Sequence, residues 1–332
     1  MNKILTFSIA AYNVEQYLEN TINTILDANR NDDIEVLIVN DGSKDKTKEI
    51  AQKLQEEYPN TIRLIDKENG GHGSTINTGM RNATGKYFRA LDGDDWVNAN
   101  DLAILVDQLK TCDADMVIHN FDKCYEDGRI EKVIQKNLEN EEMSSFENIC
   151  EKTGYITYHM VIFKTNILND NNIQLDEHCF YVDSEYVLFP IPYIQTVQYF
   201  DLSIYCYRLG LEGQSVSNKS RMKHVGNSET VANKLIQFYE NLPKDLPTIK
   251  RQYILDGCAR HCTWHFMTLL LFKDGKENLK KFDDNLYQSS IDIYKEMENE
   301  EHGKTKVLAI KQLRKSKYML FKIFHSTFNR MH

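Results

Sequence analysis

Residues 87–96 read Tyr-Phe-Arg-Ala-Leu-Asp-Gly-Asp-Asp-Trp, and this stretch decides the fold. Tyr87 to Leu91 has the aromatic and apolar character of a buried strand, and Asp92, Asp94 and Asp95 follow at its carboxyl end. Carboxylates packed this closely repel one another unless a cation neutralises them, and hard oxygen ligands suit Mg²⁺ or Mn²⁺. An exposed acidic turn is the plain alternative, but the apolar strand before it and Trp96 after it weigh against that.

On the amino-terminal side the pattern repeats. Residues 4–11 and 34–39 are strand-like, with a helical spacing of apolar residues between them at Val14, Leu18, Ile22, Ile25 and Leu26. A second helix is expected from Ser43, as its cap, to Tyr58, then a short strand over 61–65 and a helix from the glycine turn at 69–73 to Asn82. Beyond the acidic run come a helix over 100–110 and a strand over 115–121, then extended and looped segments around a few helices over 122–180. From Lys223 onward the pattern is helical, with a polar break near 241–247. Strands alternating with helices imply a mainly parallel sheet, a Rossmann-like α/β class, whose ligands sit at the carboxyl ends of the strands. The expected division is a catalytic region over 1–220 and a helical region over 221–332.

The chain has 332 residues, 41% of them hydrophobic and 27% charged, with a formal net charge of −9, which is the composition of a folded globular protein. The acidic fold-forming part does not suggest nucleic-acid binding. No apolar run reaches the ~18–20 residues of a membrane span, and the amino-terminal apolar run reads better as a first strand than as a signal peptide, so a cytoplasmic protein is expected. Seven cysteines contain no CxxC pair and read as reduced structural thiols; Cys258, His261, Cys262 and His265 form a weak zinc pattern beside that reading.

Three further features lie at strand ends. Ala11-Tyr12-Asn13-Val14-Glu15 offers an aromatic face and polar groups to a flat base, although Asn13 alone is equally a helix cap. Asp41, before Gly42-Ser43, can accept from a base N–H or serve as ordinary turn chemistry. Asn69-Gly70-Gly71-His72-Gly73-Ser74 lets backbone approach a ligand ahead of a helix N-terminus, suiting a phosphate or sugar, and matches neither the dinucleotide fingerprint nor the P-loop. His72 is placed to bond such a ligand or to cap the helix.

Taken in order, Tyr12-Asn13-x-Glu15, Asp41-Gly42-Ser43, Asn69-Gly70-Gly71, Asn77-x-Gly79 and Asp92-x-Asp94-Asp95 make residues 1–220 resemble the family 2 glycosyltransferases of bacterial polysaccharide synthesis, which have the GT-A fold. The resemblance implies that Ala11, Tyr12, Asn13, Glu15, Asp41, Gly70, Gly71, His72, Asn77, Asp92 and Gly93 bind the donor, a nucleotide-diphosphate sugar and most often a UDP-sugar. It implies that Asp94, with Asp92 at the ion or in its water shell, holds Mn²⁺ or Mg²⁺. It implies further that the anomeric centre is inverted and that Asp183, in Tyr181-Val182-Asp183-Ser184-Glu185, deprotonates the acceptor hydroxyl. Val182 stands where a glutamate is usual, Ala10 where proline is common and Ile76 where many members have arginine; Glu185 is a candidate replacement carboxylate. Arg208, Gln214 and Ser215, in Tyr207-Arg208-x-Gly210 and Gly213-Gln214-Ser215-Val216-Ser217, resemble a segment that closes over the donor. His224 is an outlying candidate for metal or phosphate, and more simply a surface histidine.

Residues 304–332 carry eight Lys or Arg and no Asp or Glu, interleaved with Val307, Ile310, Leu313, Leu320, Phe324 and Phe328. As one helix this gives an apolar stripe flanked by cations, suited equally to the inner face of the cell membrane, to its own domain or to a second copy in a homodimer. A glycan or lipid-linked acceptor is implied. The rival readings are an inactive sugar-nucleotide-binding scaffold and a nucleotidyltransferase; the latter wants a basic glycine-rich loop after the first strand, which Ala11-Tyr12-Asn13 is not.

Overall fold

The computed structural model describes all residues except 1, 2, 136, 139, 141, 142, 211–213, 216 and 332, together with the backbone alone of 329–331. Chain contacts divide it into two units, Met1–Leu211 and Glu212–His332.

The first unit is built on ten strands: β1 (Leu5–Ala11), β2 (Ile34–Asp41), β3 (Ile62–Lys67), β4 (Tyr87–Asp92), β5 (Trp96–Val97), β6 (Met116–Tyr125), β7 (Ile130–Val133), β8 (Met143–Ser145), β9 (Val161–Lys164) and β10 (Thr196–Leu209). They form one sheet in the order β3-β2-β1-β4-β9-β6-β10-β5, with β7 on β6 and β8 on β10. The pairs β3-β2, β2-β1, β1-β4 and β6-β10 are parallel, while β9 runs antiparallel to both β4 and β6. The sheet is therefore mostly parallel but mixed. Every residue of β2 is buried, as a central parallel strand covered on both faces requires.

Helices α1 (Leu18–Leu26), α2 (Thr47–Glu57), α3 (His72–Asn82) and α4 (Ala99–Leu109) alternate with the first strands, and α5 (Phe146–Lys152), α6 (Thr165–Asp170) and α7 (Asp183–Leu188) follow. Two helices start later than their sequence suggests. Ser43 does not cap α2, because its hydroxyl accepts the Asn13 N–H at 3.0 Å. Val14 N donates to Thr47 Oγ1 at 2.9 Å and Glu15 N to Asp45 Oδ2 at 3.1 Å, so the chain after β1 is tied to the β2–α2 loop and α1 begins only at Leu18. Asn98 caps α4 by accepting from the Asn100 and Asp101 N–H groups. The region after residue 121 is more ordered than its sequence suggests: β6 runs on to Tyr125, β7 returns along it, and β10 is a strand of 14 residues with irregular register between Phe200 and Tyr205.

The second unit is helical: α8 (Asn218–Lys223), α9 (Val225–Glu240), α10 (Thr248–Leu269), α11 (Lys276–Ser289), α12 (Ile291–Glu296), α13 (Lys304–Lys315) and α14 (Phe321–Met331). α10 packs against α9, α11 and α12. Cys258 and Cys262 are fully buried, His261 Nε2 lies 3.1 Å from Ser228 O, and His265 Nδ1 meets the Ser228 hydroxyl, so these four side chains belong to the helix packing.

The basic tail does not form one helix. Lys317 and Tyr318 adopt left-handed backbone at φ 48° and 62°, ending α13 before α14 begins. Val307, Ile310 and Leu313 are buried, and Arg314 forms ion pairs with Asp283 at 2.7 Å and Glu298 at 3.0 Å. The apolar stripe of α13 thus faces its own unit, whereas Leu308, Met319 and Ile323 are exposed. No helix among the described residues is long and apolar enough to cross a membrane.

Candidate active site

The carboxyl ends of β1, β2 and β4 lie side by side because the strands are parallel and in register, Ala10 pairing with both Val39 and Asp92. Loops leaving neighbouring strand ends therefore converge. Asn13, in left-handed backbone at φ 54°, accepts from Lys44 N at 2.8 Å, and Glu15 accepts from Lys46 N at 2.8 Å. Asn13 is not the cap of α1; together with Glu15 it joins two loops, leaving the Tyr12 ring exposed.

Asp41 is buried at the end of β2, and protein donors surround both its oxygens. Oδ1 accepts from Lys67 Nζ at 2.8 Å, Gly70 N at 2.9 Å and Ser74 Oγ at 3.3 Å; Oδ2 accepts from Gly71 N at 2.8 Å and Asn69 Nδ2 at 3.0 Å. A carboxylate offers about four lone-pair positions, so these donors saturate it. Asp41 shapes the glycine loop, and a direct bond to a nucleobase requires displacing one of them.

The loop it shapes is closed from the other side. Gly71 takes φ 82°, and a side chain there would meet the His178 backbone at 3.0 Å. Asn77 bonds to both backbone groups of Leu175, at 2.9 Å each, and Glu185 accepts from Asp176 N at 2.7 Å. Both side chains are buried. They fasten residues 175–177 alongside α3, so Glu185 positions that segment and does not take the place of the glutamate absent at Val182.

From this fastened segment α7 begins at Asp183, whose side chain is half exposed at 51%. His72, the first residue of α3, lies between two carboxylates: its Nε2 is 3.1 Å from Asp92 Oδ1 and its Nδ1 3.7 Å from Asp183 Oδ1. Burial disfavours the imidazolium, but Asp92, Asp183 and Asp94 outweigh it and raise its pKa to about 9. Burial likewise opposes the charge on Asp92, yet His72 holds that carboxyl below the usual range. Asp183 is pushed up to about 6 by loss of solvent on the side that faces the cluster and by Asp92, and Asp94 to about 6 by burial and by Asp92. Asp95 is pushed well above the usual range for the same reasons, with Asp94 adding to them.

The three acidic residues of the run divide by their partners. Asp95 is buried, accepting from Tyr205 Oη at 2.5 Å and Arg208 N at 2.7 Å. Arg208 Nε also donates to Asp94 O at 2.8 Å, and its guanidinium lies over the Tyr17 and Trp96 rings at 4.9 and 4.6 Å. Asp92 faces His72, Tyr158 and Tyr205. The Asp94 carboxylate makes no hydrogen bond or ion pair to another described residue, and a hard divalent ion fits that oxygen-donor set. Gly93 is required by close approach, since a Cβ there would lie 2.7 Å from Ala10 O.

Below the run is a set of residues with no local sequence signature. Arg89 is fully buried in β4, donates to Tyr158 O at 2.6 Å and to Val161 O, and lies 5.6 and 4.9 Å from the Tyr158 and Tyr205 ring centres. Burial, with Arg89 adding to it, depresses His119 and His159 to about 3. One buried cation therefore lies under the acidic run while the nearby histidines stay neutral.

Gln214, Ser215 and His224 belong to the second unit, and Gly213 and Val216 of the same motif lie outside the described residues. Gln214 O accepts the Ser217 N–H at 3.1 Å, and Ser217 caps α8.

The family model for glycosyl transferase family 2 matches residues 6–171, half of the chain, and the chain therefore belongs to that family. The minor teichoic acid biosynthesis protein GgaB of Bacillus subtilis is 26% identical over 296 residues, covering 86% of this chain and 31% of that protein. The crystal structure of S. aureus TarS 1-349 in complex with UDP-GlcNAc superposes with a TM-score of 0.67 at 18% identity, covering 99% of this chain and 92% of that one. The mannosyltransferase PcManGT of Pyrobaculum calidifontis, in complex with GDP-Man and Mn²⁺, superposes at 0.55 with 14% identity, covering 99% and 85%. At these identities the structural likeness establishes the GT-A fold. The chain spans less than two thirds of the length of the curated relatives it matches, 45% and 62% for two glycosyltransferases of Nostoc and Bacillus subtilis.

Proposed function

We propose that this member of glycosyl transferase family 2 transfers a sugar from a UDP-sugar to a hydroxyl of a cell-envelope glycan or lipid-linked acceptor, inverting the anomeric carbon. The observation that carries the reading is the row Asp94, Asp92, His72 and Asp183 at the ends of β4, α3 and α7, with Asp92, His72 and Asp183 in successive contact. TarS binding UDP-GlcNAc and PcManGT binding Mn²⁺ support the choice of donor and ion.

The roles follow from the chemistry. Tyr12 supplies a face for the base, and the Asp41-organised glycine loop presents backbone toward phosphate at the start of α3. Asp94, with Asp92 behind it, is the group to hold Mn²⁺ or Mg²⁺, which when bound offsets charge on the leaving diphosphate. The half-exposed Asp183 is the acceptor-side base, with a pKa of about 6 that leaves it ionised at neutral pH. His72, as an imidazolium between Asp92 and Asp183, offsets part of the negative charge that the two carboxylates bring together. Residues 1–220 carry this chemistry and 221–332 form the accessory helical region.

The test separates binding from transfer. Asp183→Asn is expected to bind UDP with Mn²⁺ as the parent does while losing at least ~10²-fold in transfer; Asp94→Ala is expected to lose the metal-dependent part of UDP binding. Calorimetry with UDP and a transfer or donor-hydrolysis assay read the two. Undiminished turnover by Asp183→Asn removes that residue as the base.

A further inference from the structure

The helical unit holds another convergence of ligand-type side chains. Asp256 lies on α10, Glu296 ends α12, and His302 ends a single 3₁₀ turn, Glu300–His302, just before α13. Each offers one ligand atom, and these atoms all lie within 4.8 Å of one another, the one such group of three among the described residues. Neither the acidic run at Asp92–Asp95 nor the Cys258–His265 stretch makes a comparable preformed set.

His302 is the independent sign that something belongs there. It is buried at 6% exposure, and neither ring nitrogen has a hydrogen-bond partner; Asp256 Oδ1 lies 3.4 Å from Nε2. Asp256 Oδ1 is likewise buried without a hydrogen bond. Buried polar groups are normally satisfied, so an unpartnered imidazole nitrogen beside an unpartnered carboxylate oxygen points to an absent ligand. Both carboxylates are steadied through one oxygen: Arg260 Nε donates to Asp256 Oδ2 at 2.7 Å, and Asn299 Nδ2 to Glu296 Oε1 at 2.8 Å. Outer hydrogen bonds of this kind orient metal ligands.

We propose that Asp256, Glu296 and His302 bind a Zn²⁺ ion that ties α10 to the connection between α12 and α13. Two carboxylates and a neutral imidazole balance the charge of a divalent ion in a partly buried place. The imidazole nitrogen selects zinc over Mg²⁺ or Ca²⁺, which take oxygen ligands. Three protein ligands leave a fourth position for water. The ion's role is structural, fixing the turn from which the basic helix departs, and is independent of the sugar-transfer reading.

The full chain, stripped with EDTA and dialysed, is titrated with Zn²⁺ and with Mg²⁺ by calorimetry, alongside Asp94→Ala, Glu296→Gln and His302→Ala. One Zn²⁺ per chain is expected to persist in Asp94→Ala and to weaken at least about tenfold in each of the other two. Co²⁺ is expected to give the visible absorption of a four-coordinate site, lost in His302→Ala. Zinc binding that disappears with Asp94→Ala places the ion at the acidic run and overturns the proposal, as does undiminished binding by Glu296→Gln and His302→Ala, or no zinc bound by the parent. Glu296→Gln removes a ligand from a partly exposed position, so the test stands even where His302→Ala does not fold.

Discussion

At the scale of single residues, the site depends on side chains whose partners are already protein groups. Asp41 illustrates it. Its carboxylate accepts from the backbone N–H groups of Gly70 and Gly71 and from Lys67, and amide substitution puts an NH₂ donor where donors already point. Asp41→Asn therefore leaves one or two buried N–H groups unsatisfied and Lys67 without its counter-charge. A loss of about 2–4 kcal/mol is expected, read as a fall in denaturant midpoint at unchanged slope. UDP affinity is expected to weaken with it, since the same carboxylate fixes the loop facing the phosphates. A variant with parental stability but weaker UDP binding contradicts this account and returns Asp41 to direct contact with the base.

At the scale of elements, the start of α3 is confined by the segment beside it. A Cβ on Gly73 would lie 2.0 Å from Asp176 O, and that backbone is held by Asn77 and Glu185, so it cannot retreat cheaply. Gly73→Ala is expected to cost about 1–3 kcal/mol and to lower transfer by shifting α7 and Asp183. Gly226, near the start of α9, meets nothing within 4 Å, and Gly226→Ala is expected to be neutral or to gain up to ~1 kcal/mol. Thermal unfolding of the pair checks the contrast; equal losses in both refute the confinement argument. The same elements show what the sequence made readable. Strands β1 to β4, the glycine loop and the acidic run announce themselves because each is local, an apolar run ending in Gly, Asp or Asn. Arg89, Tyr158, His159 and Tyr205 carry no such mark, because they come from two strands and a turn and meet only when β9 inserts antiparallel between β4 and β6. Tyr205 lies in β10, whose irregular register hides its alternation. Asp95 shows the same limit, since its partners Tyr205 and Arg208 lie over a hundred residues away in the chain.

At the scale of the whole molecule, the two units differ in how they respond to acid. The first combines neutral buried histidines with raised carboxylates, whose proton linkages oppose each other. In the helical unit burial lowers His224 and His302, and it depresses His261 to about 4 and His265 to about 3. Unfolded, both titrate near 6.5. Below that pH the unfolded unit takes up protons that the folded unit refuses, so the stability these residues permit is complete above 6.5 and falls as pH drops toward their folded values. The slope approaches about 1.4 kcal/mol per pH unit for each histidine below pH 6.5, giving roughly 3 kcal/mol lost between pH 6.5 and 5. Hydrogen exchange of the α9 and α10 amides across that range is expected to show the loss. Both rings contact Ser228, so an amide side chain at position 261 keeps a donor for Ser228 O while removing one titration. His261→Gln is therefore expected to reduce the slope by about 1.4 kcal/mol per pH unit even if it lowers the stability at neutral pH. An unaltered slope in that variant, and again in His265→Gln, would mean that the acid response of the helical unit has another origin.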